Sequence, residues 1–518
     1  MDAAAKQAGS ELLPSVTVSR IARPAAVLLL VVAFALRVGR LEAESFWRDE
    51  IDSAWYAQQS LNWALANFGR PGWNGALYHL GLQAWAAYVG FSPFTLRFSS
   101  VIAGMLLVAL ITALGRVWFG RRAGLIAGGT AAVSPYLVWY SQELKMYAWL
   151  ACLAAASILA LDYAMRRDDV RFWIAFTASV VATTLIHVMG FLMFPVWIGM
   201  IVSCRGRGVV ARRLFAIVVL ASVSMAFASF WPVRLFLEGT GIPLSHDRFS
   251  QLVMSTIVFF GLNGAATTGI TGVALIVFLL VASVVIRPPP ATVARQSSLL
   301  CTHRSTLLAW ISLLGPIVGF GIVGWRVPLF ADRYVMVATP AFVLCLALGL
   351  TSLRRFGRGP FLTSTALLLL VMGTETSVDL VGVTKMDYRG AAAILNSSGS
   401  PGSTLIMISG HSQRAMRFYG VTALREIPWP YPAVVTDSEV ERILQDSGAL
   451  TSRVWLLESD LIWADPTRRV KAWLDARCSE PQRAFHLRQL DLYDYRCPIP
   501  IRRPRELAVQ PTRQAADP

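Results

Sequence analysis

Three short stretches carry the side chains able to do polar chemistry in an otherwise apolar chain. The first is Ser45-Phe46-Trp47-Arg48-Asp49-Glu50-Ile51-Asp52. Adjacent carboxylates at the end of an apolar helical run are costly to desolvate, so they either serve a site or sit in water. On the first reading Asp49 is a general base that takes the proton of an acceptor hydroxyl or amine. Glu50 then orients the site or holds a cation. The second stretch is Tyr140-Ser141-Gln142-Glu143-Leu144-Lys145-Met146-Tyr147. Its Lys145 suits a phosphate as a compact point charge, although taken alone it reads better as an interfacial lysine reaching for water. The third is Phe330-Ala331-Asp332-Arg333-Tyr334. A guanidinium matches a phosphate in bidentate fashion, and Asp332 is the local alternative partner for Arg333.

Other residues form a looser set. His79 and His187 read either as hydrogen-bonded structural histidines or as metal ligands. With Glu50, the pair Glu238 and His246 extends His187 into a candidate cation site, although no ligand-spacing motif is present. Trp47, Trp55, Trp73 and Trp85 read as interface anchors, with stacking on a sugar as the second use. The sequence contains no phosphate-binding loop, no Gly-x-Ser-x-Gly elbow and no His-Glu-x-x-His zinc motif.

The elements that must position these residues are membrane helices. Of 518 residues 55% are hydrophobic and only 15% charged, with 17 tryptophans. A soluble protein could not hide so much apolar surface. Runs long enough to cross a bilayer fall near 22–39, 97–115, 122–139, 146–164, 172–188, 190–203, 213–231, 269–286, 306–324, 333–350 and 361–378, about eleven spans in all. The formal charge of +16 does not mean nucleic acid, because the arginines cluster in alternate loops. Arg116, Arg121 and Arg122, then Arg166, Arg167 and Arg171, then Arg205 to Arg213, Arg287 to Arg304 and Arg354 to Arg358 mark the cytoplasmic side. The N-terminal segment 1–21 is then cytoplasmic, and the first span is an uncleaved anchor.

On that topology the transmembrane domain covers 22–380. Its long outer loop, 41–96, holds helical stretches near 53–67 and 75–90. A small α/β domain follows outside at 381–500, with strands near 404–409 and 454–458 and helices near 387–396, 437–447 and 467–477. Cys478 and Cys497 lie in this polar region and are positioned to form a disulfide if it faces an oxidising compartment. Residues 501–518, rich in Arg, Pro and Gln, read as disordered.

The order of these features resembles the GT-C superfamily of membrane glycosyltransferases, in the branch of protein mannosyltransferases, lipid A aminoarabinose transferases and rhizobial galacturonosyltransferases. The resemblance runs from about residue 25 to 350. It rests on Trp47-Arg48-Asp49-Glu50, on Phe119-Gly120-Arg121-Arg122, on Ser134-Pro135 leading into Tyr140-Ser141-Gln142-Glu143, and on Arg333-Tyr334. Asp387-Tyr388-Arg389, opening the outer domain, is similar too. The resemblance implies a polytopic α-helical fold and an inverting transfer from a polyprenyl-phosphate-linked sugar, with or without a divalent cation. It implies Asp49 as base with Glu50 beside it, and Lys145, Arg333 and Tyr334 at the donor phosphate. Glu143, Asn74, Tyr78, His79 and His187 would line the substrate site. The acceptor would be a glycan, glycolipid or protein at the periplasmic face of a bacterial inner membrane. One departure stands out: the family often places Lys or His before Pro-Pro-Leu-Tyr, where this chain has Asn74-Gly75-Ala76-Leu77-Tyr78-His79. The basic group is replaced by Asn74 or moved to His79. Two other classes fit the topology. A transporter of lipid-linked sugar requires ionisable residues at mid-membrane depth, and an assembly subunit would tolerate loss of Asp49.

Overall fold

The computed structural model describes residues 22–67, 74–167, 169–203, 256, 258–264, 267–286, 299–324, 331–382, 384–429, 436–446, 453–478 and 481–497. Span 213–231, Trp73, Glu238, His246 and the arginines from Arg205 to Arg295 lie outside them. The chain forms two compact units, Met1–Leu41 with Tyr56–Gly382 and Glu42–Trp55 with Val383–Pro518.

The first unit is helical. In chain order the helices are α1 (Ala22–Val38), α2 (Arg48–Ala57, whose first eight residues belong to the second unit), α3 (Leu61–Asn67), α4 (Ala76–Val89), α5 (Pro93–Phe119), α6 (Arg121–Val133), α7 (Pro135–Ser141), α8 (Tyr147–Arg167), α9 (Val170–Ile186), α10 (Phe194–Val202), α11 (Gly269–Val285), α12 (Leu299–Gly324), α13 (Thr339–Leu353) and α14 (Arg358–Val381). Among the described residues five helices are long and apolar enough to cross a bilayer: Pro93–Phe119, Tyr147–Arg167, Arg304–Gly324, Asp332–Phe356 and Arg358–Val381. Shorter apolar helices cover Pro24–Val38, Val170–Ile186, Val188–Val202 and Gly269–Val285. α13 is buried along nearly its whole length. Gly349 lets it press against α11, since a Cβ there would stand 2.1 Å from the Leu279 carbonyl oxygen.

Two expected helices are broken. The single stretch near 53–67 is α2 and α3, separated at 58–60. The span near 122–139 breaks at Ser134-Pro135, because proline has no N–H to continue the ladder. The carbonyls freed there are satisfied by distant side chains. Buried Arg37 donates through Nη1 to Ala132 (3.0 Å) and through Nη2 to Ala131 (3.0 Å), and Thr376 Oγ1 donates to Val133 (2.7 Å). On the other side of the break Ser134 caps α7, its Oγ accepting from the Leu137 amide at 3.4 Å. Other buried charges in the helices also serve helix ends or neighbours. Glu375 accepts from the Thr267 amide and the Thr268 hydroxyl (3.0 and 2.8 Å) at the start of α11, and Asp162 pairs with Arg166 at 2.6 Å.

The second unit is built on a five-stranded sheet of order β2-β1-β3-β5-β4. Its strands are β1 (Thr404–Ile408), β2 (Arg425–Pro428), β3 (Arg453–Ser459), β4 (Arg483–Leu487) and β5 (Leu490–Arg496). β1 runs parallel to both β2 and β3, while β3-β5 and β5-β4 are antiparallel. Helices α15 (Tyr388–Ser398), α16 (Ser412–Phe418), α17 (Asp437–Asp446), α18 (Leu461–Ala464) and α19 (Arg469–Cys478) connect them. Val440 and Leu444 of α17 and Val470, Trp473 and Leu474 of α19 pack with Ile406, Val454, Leu456 and Tyr493 of the sheet into one core. The Sγ atoms of Cys478, ending α19, and Cys497, just past β5, are 2.12 Å apart, a disulfide.

Candidate functional site

In the first unit four sequence-distant segments meet where helices are interrupted: 74–75 before α4, 142–146 between α7 and α8, 187 after α9, and 331–334 before α13. Interruptions release backbone groups and let side chains project from irregular chain. Gly75 makes the first contact feasible. Its φ is +87°, and a Cβ would lie 2.6 Å from Met146 Cε and 2.8 Å from the Ile186 carbonyl oxygen. The turn therefore seats Asn74 against the end of α9. Asn74 Oδ1 accepts from the Val188 amide at 2.8 Å, and its Nδ2 lies 2.9 Å from His187 Nε2. The His187 Nδ1 accepts from the Met189 amide at 3.0 Å.

Arg333 is framed by aromatic rings, with its guanidinium carbon 6.0 Å from the Tyr147 ring centre and 5.6 Å from that of Tyr334. The His187 ring lies 5.5 Å from Tyr147 and 6.0 Å from Tyr334. Asp332, the local alternative partner for Arg333, accepts a hydrogen bond from the Tyr140 hydroxyl at 2.8 Å. Glu143 is buried and accepts from Trp139 Nε1 at 3.1 Å. Lys145 is partly buried, with its carbonyl facing the Ser100 hydroxyl at 3.4 Å. Its ammonium makes no ion pair among the described residues.

The charges in this cluster decide what the histidines can do. Burial first, and then the positive charge of Lys145, pushes the His79 pKa down to about 3. The His79 ring is neutral at ordinary pH. The His79 ring packs 4.7 Å from that of Tyr56 and 5.4 Å from that of Tyr78. Lys145 and Arg333 supply the cationic character.

The acidic stretch belongs to the second unit. Asp49 and Glu50 occupy the first turn of α2, where the unpaired amide end of a helix favours negative charge. Glu50 is fully buried and paired with Lys385 Nζ at 3.1 Å. Asp52 pairs with Arg414, whose guanidinium lies 4.1 Å from the Trp55 ring centre. Upstream, the Phe46 amide donates to the Tyr419 hydroxyl at 2.8 Å, and the Phe46 and Phe418 rings are 5.2 Å apart. Asp49 is half-buried. Lys385, Arg414 and Tyr419 were not singled out by the sequence, since nothing local marks a cation more than 300 residues away as the partner of an acid.

Among the described residues no group of three or more His, Cys, Asp or Glu could hold a metal ion. Glu50 is committed to Lys385 and His187 to Asn74 and its own turn. Glu238 and His246, the other members of that candidate set, lie outside the described residues.

Known proteins locate this architecture. Residues 77–233 match the family described as dolichyl-phosphate-mannose-protein mannosyltransferase. The structure is similar to that of ArnT from Cupriavidus metallidurans in the apo state, with a TM-score of 0.57 at 13% identity over 91% of this chain and 98% of that one. ArnT bound to undecaprenyl phosphate gives 0.54 with the same identity and coverage. The Archaeoglobus fulgidus oligosaccharyltransferase in complex with Zn and sulfate gives 0.55 at 12% identity, over 90% of this chain and 73% of that one. No protein of curated function matches the sequence.

Proposed function

From a chain that has the GT-C glycosyltransferase fold, we propose an inverting transfer of sugar from a polyprenyl-phosphate donor to an envelope acceptor. The observation that carries this reading is that Lys145 and Arg333 stand on two of the interrupted segments that meet in the first unit. Both side chains are cationic, and a lipid phosphate is an anion delivered at membrane depth. The undecaprenyl phosphate bound by a similar structure supports the same choice.

The chemistry follows from the roles. The acceptor oxygen or nitrogen attacks the anomeric carbon, and its proton passes to the Asp49 carboxylate. The bond from that carbon to the phosphate oxygen breaks, and its electron pair leaves with the phosphate. Arg333 and Lys145 stabilise the charge that develops there, while Tyr334 and Tyr147 hold the guanidinium plane. The products are the glycosylated acceptor and polyprenyl phosphate. Such a donor needs no nucleotide pocket. About eleven spans, a cytoplasmic N-terminus and a periplasmic second unit in a bacterial inner membrane complete the proposal.

The test compares envelope glycolipids and glycans by mass spectrometry in a deletion strain complemented with wild type or Asp49→Asn. Wild type should restore a missing sugar that the equally abundant variant does not. Restoration by both would remove Asp49 as base and favour transport or an assembly role.

A further inference from the structure

In the second unit the chain leaves the sheet in opposite directions at one point. β1 and β3 are parallel neighbours, so their carboxyl ends lie at the same edge. From β1 the chain passes through α16 to β2 on one side. From β3 it passes through α18 and α19 toward β4 and β5 on the other. Where two such loops diverge, an open α/β sheet leaves a crevice, and that is where it takes its ligands. A chain of hydroxyls braces this one. Ser459 Oγ donates to the Ile408 carbonyl at 3.1 Å, so at 2.8 Å it accepts from Ser412 Oγ. With its proton spent there, Ser412 accepts from the Tyr388 hydroxyl at 3.4 Å. All three side chains are buried, and each proton is committed.

Two charged groups at this edge are not committed. Asp460 follows β3 with φ at +49°, which strains a residue that carries a Cβ. It stands at the start of α18, yet its carboxylate does not cap that helix. Its Oδ2 is buried with no hydrogen-bond donor among the described residues. Arg48 opens α2 and is half-buried, and among the described residues its guanidinium makes no hydrogen bond or ion pair. The two charges flank one place. Burial first, and then Arg48, holds His411 below its ordinary pKa, with Asp52, Arg414 and Asp460 also acting on it. Burial raises the Tyr388 hydroxyl, on which Asp460 and Arg48 act in opposite senses.

A carboxylate oxygen that lacks a donor is answered by a ligand that donates, and a guanidinium by one that accepts. A hydroxyl does both, whereas a phosphate would meet Asp460 with like charge. Resting on the reading of the chain as a glycosyltransferase, we propose that this crevice holds a sugar of the acceptor. One hydroxyl donates to Asp460, and a neighbouring oxygen accepts from Arg48. Arg48 is next in the chain to Asp49, so the sugar is held at the turn of α2 that carries the proposed base. Asp460 and Arg48 bind, and take no part in the proton transfer.

The test is sugar binding by the full chain, purified in a detergent without a sugar headgroup. Saturation-transfer NMR is run with the methyl glycosides of glucose, galactose and mannose, and at least one should bind the wild type. Asp460→Gly relieves the left-handed backbone and removes the carboxylate. The unfolding midpoint should therefore not fall, while affinity for that glycoside should drop about tenfold or more. Arg48→Met keeps an apolar stem and should lower affinity to a similar extent. A wild type that binds none of these glycosides overturns the proposal, as does equal binding by wild type and Asp460→Gly. Affinity that falls only in step with the unfolding midpoint makes Asp460 a structural residue, and overturns it too. If one of the two variants does not accumulate, the other decides alone. Asp460-dependent binding in a chain that restores no sugar to the deletion strain keeps the site and sinks the transfer reading. Transfer that depends on Asp49, with binding indifferent to Asp460, sinks only the site.

Discussion

Arg333 and Lys145 carry like charge but are held differently, and the difference predicts different sensitivities. The Arg333 guanidinium carbon lies 6.0 Å from the Tyr147 ring centre and 5.6 Å from that of Tyr334. A lysine there keeps the charge and loses both the stacking and the fork of donors. Arg333→Lys should therefore lower transfer about 10- to 100-fold, or roughly 1.4–2.8 kcal/mol of transition-state stabilisation. Lys145→Arg keeps a charge whose ammonium makes no ion pair among the described residues, and it should be milder. Initial rates per amount of protein separate the two, and equal losses would contradict the distinction. Asn74 makes a quieter contribution. Asn74→Ala removes the bridge to the Val188 amide and to His187 Nε2, which should cost about 1–2 kcal/mol of stability with little change in the family of sugars transferred. Thermal unfolding of the detergent-solubilised chain reads the cost. At this scale the charged residues were visible in the sequence because each interrupts an apolar run. The use of Gly75 was not, because its meaning depends on Met146 and Ile186 arriving against it.

Among the elements, the break at Ser134-Pro135 shows how a polar backbone is tolerated among apolar helices. A chain end inside a bilayer leaves carbonyls that nothing in lipid can satisfy. Arg37, on α1, meets that need with two bonds of 3.0 Å, to Ala132 and Ala131, and also donates to Ala33 of its own helix at 3.0 Å. Arg37→Met should remove two donors from the end of α6 and cost about 2–5 kcal/mol. Gly104 gives the side chain its room, since a Cβ there would lie 2.9 Å from Arg37 Nε and 2.1 Å from Ser141 Oγ. Gly104→Ala should therefore destabilise the same junction by about 1–3 kcal/mol. Midpoints of thermal unfolding check both, and a neutral Arg37→Met would mean that other donors reach α6. The sequence indicates the apolar runs well, because length and composition alone define them. It joined α6 to α7 across Pro135, since hydropathy does not register a missing N–H. It found β1 and β3, whose buried residues are consecutive. It passed over β5, where Leu490-Asp491-Leu492-Tyr493-Asp494-Tyr495 alternates with acids that the fold satisfies from Arg453, Arg468 and His486.

At the scale of the whole molecule, the second unit is discontinuous in sequence. Residues 42–55 leave the helical unit and return to it, yet their partners lie beyond residue 383. Cutting the chain near 382 would strip the acidic turn of Lys385 and Arg414 together. The second unit also carries its own pH dependence, centred on Glu458. This carboxyl is buried at the carboxyl end of β3 with Arg468 3.2 Å away. Burial outweighs the Arg468 and Lys471 charges, and the nearby Asp491 adds to it, so the pKa rises to about 7. A raised carboxyl binds its proton more tightly folded than unfolded. Its contribution to stability is complete below the ordinary value of about 4.5 and is lost as pH climbs through about 7. The difference amounts to about 3 kcal/mol. In the full-length detergent-solubilised protein, amides of β3 and β5 should exchange more slowly near pH 5.5 than near pH 8, once corrected for intrinsic rates. Glu458→Gln, which cannot ionise, should flatten that slope and leave amides of the apolar helices unchanged. An unaltered slope in the variant would place the titrating group elsewhere in the unit. A slope shared by both units would mean that they open together.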